Sequence, residues 1–210
     1  DGNEELAGQI NSCPKFKERL IPFAIINPAY PGWKKDFYRS INDLGMKGLE
    51  LYPAYHQYRL ASSEAVELLN MAAEENIPVH LPCAIENMRQ RHWLDTKEDL
   101  TGDNVAQALP LCPKTNFIIT NGPSPAIASQ LNALSQNREG KIYYDFSRVD
   151  LLNLTFDKFV EAVGADNVVF GSVMPMQYVE TQYAKLNYSK LSNEEKEKIM
   201  YKNLKDLLKL

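Results

Sequence analysis

The run Asp43-Leu44-Gly45-Met46-Lys47-Gly48-Leu49-Glu50-Leu51-Tyr52-Pro53 holds a whole structural transition in one short stretch. Helical periodicity over Trp33–Leu44 stops at Gly45, a residue that helix C-caps favour because it turns left-handed without strain. Gly48–Tyr52 then reads as a strand, bounded by Gly and Pro and apolar apart from Glu50 and the Tyr52 hydroxyl. Nearly apolar strands are what a parallel sheet covered on both faces requires. Side chains alternate along a strand, so Glu50 and Tyr52 share one face.

The same alternation continues in both directions. Phe23–Asn27, Pro78–Leu81, Asn116–Thr120, Ile142–Phe146 and Val168–Gly171 read as further strands. Glu4–Cys13, Ser63–Asn76, Asp103–Leu111, Pro125–Asn137, Thr155–Val163, Tyr178–Leu186 and Asn193–Leu208 read as further helices. Ser62, ahead of the glutamates of Glu64–Glu67, and Ser192, ahead of Glu194 and Glu195, predict capping boxes. Gly164 supplies a second C-cap. Strands alternating with helices mean βαβ units and a parallel sheet, either open and doubly wound or closed into a barrel. The chain has no GxGxxG and no GxxxxGK, which weakens the nucleotide-binding open sheet. A barrel of eight units takes about 250 residues, or about 31 to a unit. The 210 residues of the chain supply six to seven such units, and the strand-like runs number six. The expected fold is therefore α/β, of the (β/α)8 TIM-barrel type, with about six βα units and the beginning of the barrel missing. No composition shift marks a domain boundary, so residues 1–210 are expected to form a single barrel domain.

Composition narrows the function classes. Lys plus Arg total 23 and Asp plus Glu 27, a net charge of −4 with no basic run. Such a chain is a poor match for a phosphate backbone, so no nucleic-acid partner is expected. No stretch approaches the roughly 18 apolar residues of a membrane span, so no membrane partner is expected either. Cys13, Cys83 and Cys112 are few and widely spaced, with no CxxC, which speaks against a disulfide framework or a thiolate zinc site. The expectation is a soluble chain, with the cytoplasm favoured although the cysteines do not fix the compartment.

Barrel enzymes keep their chemistry at the C-terminal ends of the strands. Polar residues there are the candidates. His80 lies between Val79 and Leu81; it reads either as a core histidine bonded to a carboxylate or as a general base. Glu50 and Asp145 are carboxylates in apolar strands, which must pair or shift their pKa, as ion-pair partners or as site residues. These three are the catalytic candidates. Tyr52, and His56 and Arg59 in the cluster that follows it, are candidates for holding a small molecule. So are Arg89, Arg91 and His92 in Glu86–Trp93, where arginines could grip a carboxylate or phosphate bidentately. The bland alternative is a surface helix with solvated arginines. The segment Ala84–Gly102 is the longest irregular stretch, and long loops in compact domains are usually functional. Cys83 reads as a buried, inert thiol rather than a nucleophile.

In order and spacing, these segments resemble the amidohydrolase-related (amidohydrolase 2) family of metal-dependent (β/α)8-barrel enzymes. Phe16–Pro28 resembles the family's third strand with its lead-in, and Asp43–Pro53 its fourth. Ile77-Pro78-Val79-His80 resembles the fifth, Asn167–Pro175 the eighth, and Leu191–Leu210 the closing helix. The resemblance implies that strands one and two, with the first His-x-His pair of metal ligands, are not in this sequence. An upstream segment is then expected ahead of Asp1, with a homodimer covering the open edges as the lesser expectation. It also implies zinc, and tests of its ligand positions go against that. The histidine expected two places after His80 is Pro82. The histidine expected at the end of the sixth strand is Asn121, and the aspartate of the eighth is Val173. Pro and Val cannot ligate a metal, and Asn offers zinc only a poor carbonyl donor. No cofactor is therefore expected, and the family's metal site is expected to be degenerate. Asn121, and Met174 beside the eighth-strand position, join the substrate-binding candidates.

Three functions follow. The first is a metal-independent relative of these hydrolases and decarboxylases, with His80, Glu50 and Asp145 in acid–base work and Arg89 and Arg91 on an anionic substrate. The second is a non-catalytic barrel that binds a small molecule. The third is a metallohydrolase with relocated ligands among His80, His92, Glu50 and Asp145.

Overall fold

A computed structural model describes residues 1–84, 91–94, 100–120, 125–149 and 155–210. Its sheet contains six parallel strands: β1 (Phe23–Ile25), β2 (Gly48–Glu50), β3 (Val79–Pro82), β4 (Phe117–Thr120), β5 (Ile142–Asp145) and β6 (Val168–Val169). They lie side by side in chain order, β1-β2-β3-β4-β5-β6. A doubly wound sheet reverses its order at a switch point; this one never does. Sequential parallel order is the arc of a (β/α) barrel, as the strand count predicts.

The helices follow the strands. They are α1 (Gly2–Ser12), α2 (Pro14–Arg19), α3 (Trp33–Tyr38), α4 (Ser63–Glu74), α5 (Gly102–Ala108), α6 (Pro125–Ser135), α7 (Thr155–Val163), α8 (Val179–Tyr188), α9 (Asn193–Glu197) and α10 (Asn203–Leu208). Several strands are shorter than their apolar runs, β2 stopping at Glu50 and β6 at Val169, and other details differ from the sequence expectation as well. α2 is not anticipated; Pro14 opens it at the first helical position, but it buries no residue and so leaves no apolar period to read. The helices expected over Trp33–Leu44 and Asn193–Leu208 each contain a π turn, Arg39–Asp43 and Lys198–Lys202. A capping box forms at Ser192 with Glu195, but Ser62 only accepts from Ala65 N–H. The third helical position there is Ala65, which has no side chain to reach back. Among the described residues, no helix is long and apolar enough to cross a membrane.

The two faces of the sheet are chemically distinct. Outward residues Ala24, Leu49, Val79, Leu81, Phe117, Ile119, Ile142, Tyr144 and Val168 join the main core against the helices. The inner face splits along the barrel axis. At its base Ile118, Tyr143 and Val169 pack with Phe23 and with Leu204 and Leu207 of α10. Asn203 ties α10 down by donating to the carbonyls of Ala165 (2.8 Å) and Val168 (2.7 Å). Gly48 faces the Phe23 ring so closely that a Cβ would fall on it. Nearer the strand tips the inner face turns polar, with Glu50, His80, Thr120 and Asp145. The outward edge of β1 is met by Asn3, whose carboxamide donates to Ile25 O (2.9 Å) and accepts from Ile25 N (3.0 Å). One side-chain amide thus does there what a neighbouring strand would do.

Arg138 fastens the approach to β4. It donates to the carbonyls of Leu109 (3.0 Å), Cys112 (2.8 Å) and Thr115 (2.9 Å), and its guanidinium lies over the Phe117 ring. Arg138→Ala leaves those carbonyls without their charged donor, and the expected loss in urea unfolding is about 2–4 kcal/mol. Arg138→Lys should recover only part of it, because one ammonium cannot reach as a guanidinium fork does. A loss under about 0.5 kcal/mol, the range of an inconsequential surface change, would contradict this reading.

Candidate functional site at the strand tips

The register places Glu50 beside His80, as Cα partners across β2 and β3. Their side chains point to the same inner face, and His80 Nδ1 lies 3.5 Å from Glu50 Oε1. Tyr52, two residues along, donates its hydroxyl to the same Glu50 oxygen. The other His80 nitrogen, Nε2, lies 2.5 Å from Thr120 Oγ1 on β4. Nδ1 points its proton toward the carboxylate, and Nε2 meets the Thr120 hydroxyl, accepting from it when the ring is neutral and donating to it when the ring is charged. Carboxylate, imidazole and hydroxyl thus form one line across three strands. Such a line can move a proton or hold a histidine in one orientation. Thr120 is only 5% exposed, which favours its role as an orienting partner.

Burial alone would raise the Glu50 pKa. The hydrogen bond and charge of His80, with the Tyr52 hydroxyl, outweigh burial and hold the carboxyl below its ordinary value. Tyr52 moves the other way: burial and the neighbouring carboxylate push its phenol well above the usual range. The pair therefore settles as a charged Glu50 and a neutral Tyr52.

Asp145 is in a different environment. Its side chain shares the inner face, and Ser147 N–H donates to its Oδ1 at 2.5 Å. On the β6 side a Cβ at Gly171 would fall on the carboxylate, so only glycine leaves it room. Burial pushes its pKa up. Ser147 hydrogen bonds and the charges of His80 and Lys185 work against that without reversing it. Two inward carboxyls in one barrel are thus biased in opposite directions, Glu50 toward the ionised form and Asp145 toward the protonated one.

The remaining candidates lie around this cluster. His56 stacks on Tyr58 at 6.3 Å between ring centroids and meets Tyr52 edge-on at 6.2 Å. Burial lowers its pKa. Its Nδ1 and the Tyr58 hydroxyl are buried and have no partner among the described residues. Arg59 lines a separate cavity of about 100 Å³ with Tyr58, Asn104 and Gln107. His92 lies against Trp93 and accepts from Leu94 N–H at 3.2 Å, while Trp93 is 79% exposed. Arg91 is half-buried. Met174 is exposed in the turn after β6, where Val173 has a φ of 53°. Arg89 and Asn121, with residues 86–90 of the polar cluster, lie outside the described residues. Cys83 is buried just past β3. Pro82 ends β3 and Val173 follows β6, and neither side chain carries a ligating atom. Among the described residues, no three of His, Cys, Asp and Glu come together as a metal site needs.

Sequence reasoning did not single out Lys185 and Gln182 of α8, both buried and both donating to the Ser147 carbonyl. A signal existed: Gln182, Lys185 and Leu186 fall at i, i+3 and i+4, on the face Leu186 buries.

Comparison with known proteins places this geometry in a family. The Amidohydrolase family model matches residues 2–210. No curated protein sequence matches the chain. Among solved structures, a "putative amidohydrolase" from Staphylococcus aureus superposes with a TM-score of 0.76 at 22% identity, covering 100% of this chain and 79% of that one. A 2,6-dihydroxybenzoate decarboxylase from Rhizobium gives 0.73 at 16% identity, covering 99% and 76%. A 5-carboxyvanillate decarboxylase from Novosphingobium aromaticivorans gives 0.71 at 17% identity, covering 100% and 70%. At these identities the structures speak for the fold, whereas the family model spans nearly the whole chain. With its sequential parallel strands and inward polar tips, this chain belongs to the amidohydrolase family.

Proposed function

We propose that this barrel takes a small carboxylate at its strand tips and moves a proton on it without the family's metal. The carrying observation is the line that Glu50, His80 and Thr120 make across three strands, with the Asp145 carboxyl on the same inner face. A pair of titratable groups pushed apart by their surroundings is how one site holds an acid and a base at the same pH. Asp145, biased toward its protonated form, is the acid. Glu50 and His80, with Thr120 orienting the ring, are the base side. Proton transfer by a placed side chain is worth about 10²–10⁴-fold in rate.

The neighbours suggest where to look for the substrate. Two are decarboxylases of ring-borne carboxylates, 2,6-dihydroxybenzoate and 5-carboxyvanillate. In such a reaction the ring carbon bearing the carboxylate takes a proton. The carbon–carbon bond then breaks, its electron pair stays with the ring, and carbon dioxide leaves. A neutral carboxyl such as Asp145 is a suitable donor, and it is left ionised until water returns the proton. Among the sequence candidates, Arg89, Arg91, His56 and His92 carry the cationic and ring chemistry that an anionic aromatic acid calls for.

The residues present do not fit the zinc that the family implies. Pro82 and Val173 offer no donor atom where the resemblance places ligands. No step is therefore routed through a metal.

A panel of hydroxybenzoates and related aromatic acids, assayed for carbon dioxide release with and without a chelator, tests this directly. Turnover that survives chelation, and that falls about 10²–10⁴-fold in His80→Ala, is expected. Binding without turnover would favour a non-catalytic barrel, and activity that appears only with added zinc or manganese would overturn the metal-free reading. The acid assignment has its own test in stability. Asp145 has a raised folded pKa, so its contribution is present at low pH and is lost as pH rises through that value. Asp145→Asn, which still accepts from Ser147, should be more stable than wild type at pH 8, with the advantage shrinking toward pH 4. Thermal melts showing no gain at pH 8, or a gain largest at pH 4, would reject the assignment.

A further inference from the structure

The contacts that hold Asp145 reach back from the strand tips into helix α8. Ser147 meets the carboxyl with both its N–H and its hydroxyl. Ser147 is itself 2% exposed, and its carbonyl is gripped from behind by Gln182 Nε2 at 3.1 Å and Lys185 Nζ at 2.9 Å. Gln182 is 0% exposed and Lys185 6%. Lysine is almost never buried so fully, because desolvating an ammonium is costly. Gln182 keeps its Nε2 on this carbonyl although its buried Oε1 has no partner among the described residues. On the opposite side, Gly171 leaves the space that the carboxylate fills.

We propose that Gln182 and Lys185 are positioning residues for Asp145: by fixing the Ser147 carbonyl they lock the turn whose N–H and hydroxyl hold that carboxyl on the inner face. Two long polar side chains converging on one carbonyl fix the peptide more firmly than either alone. Ser147 offers its carbonyl to α8 and its donors to Asp145, so a shift on one side is felt on the other. Lys185 also acts through charge, since it and His80 of β3 both favour the ionised carboxyl against burial. That Asp145 serves turnover rests on the proton-transfer reading above, whereas its anchoring by α8 does not.

The test reads the carboxyl itself. The full chain is labelled with carbon-13 at aspartate carboxyls, and Asp145→Asn identifies the resonance. At one fixed pH, Lys185→Met and Gln182→Met should each move that resonance by more than its linewidth, and Lys185→Arg should return most of the Lys185→Met shift. Leu186→Ala loosens the same helix at a fully buried position and should leave the resonance in place. If Lys185→Met does not fold, Gln182→Met carries the same test. An unmoved resonance in a folded Lys185→Met or Gln182→Met protein overturns the proposal, as does an equal shift in Leu186→Ala. A shifted resonance with unchanged turnover on the aromatic-acid panel supports the anchoring and counts against Asp145 as the acid.

Discussion

A carboxylate inside a protein stays charged only where donors replace the water it has lost. In this barrel Glu50 and Asp145 each meet such donors, and burial prevails only at the more deeply enclosed Asp145. Two rings close on Glu50, the His80 imidazole from the adjacent strand and the Tyr52 phenol from just past the end of β2. Asp145 has the Ser147 turn on one side and the bare backbone of Gly171 on the other. The difference lies in what surrounds each group, and it biases two side chains on one sheet face in opposite directions.

The rest of the architecture serves that difference. Sequential parallel strands bring every second residue to a common interior, and the base of that interior is stopped by Leu204 and Leu207 of α10. Glu50, His80, Thr120 and Asp145 thereby come to the strand ends, where barrels of this type place their loops. Outer packing by residues such as Leu49, Val79, Phe117 and Tyr144 keeps the strands in register. Register in turn puts His80 next to Glu50, with Thr120 one strand further on. A one-residue slip of β3 would turn His80 to the helix side and dissolve the line.

How much of this could be read beforehand depends on how local each feature is. All six strands are visible as short apolar runs, and α7 is visible at its full Thr155–Val163 extent, because burial on both faces of a sheet and on one stripe of a helix leaves a direct mark on the residues. Glu50 and Tyr52 on one face follow from simple alternation. The pairing of Glu50 with His80 does not, because it depends on register between segments thirty residues apart in sequence. The short α2 and the π turns escape because neither disturbs the apolar pattern. Lys185 and Gln182 escape for a different reason. Their helix looks like ordinary packing, and the group they hold is a backbone carbonyl, which no side-chain pattern announces.

The order in which two protons leave decides which carboxyl is the acid. Free aspartate is the stronger acid of the two, with a pKa of about 3.9 against about 4.3 for glutamate. Carbon-13 titration of the Glu50 and Asp145 carboxyls should show that order reversed, with Glu50 ionising first and Asp145 holding its proton to higher pH. Asp145 ionising before Glu50, or both together in the ordinary carboxylate range, would contradict it.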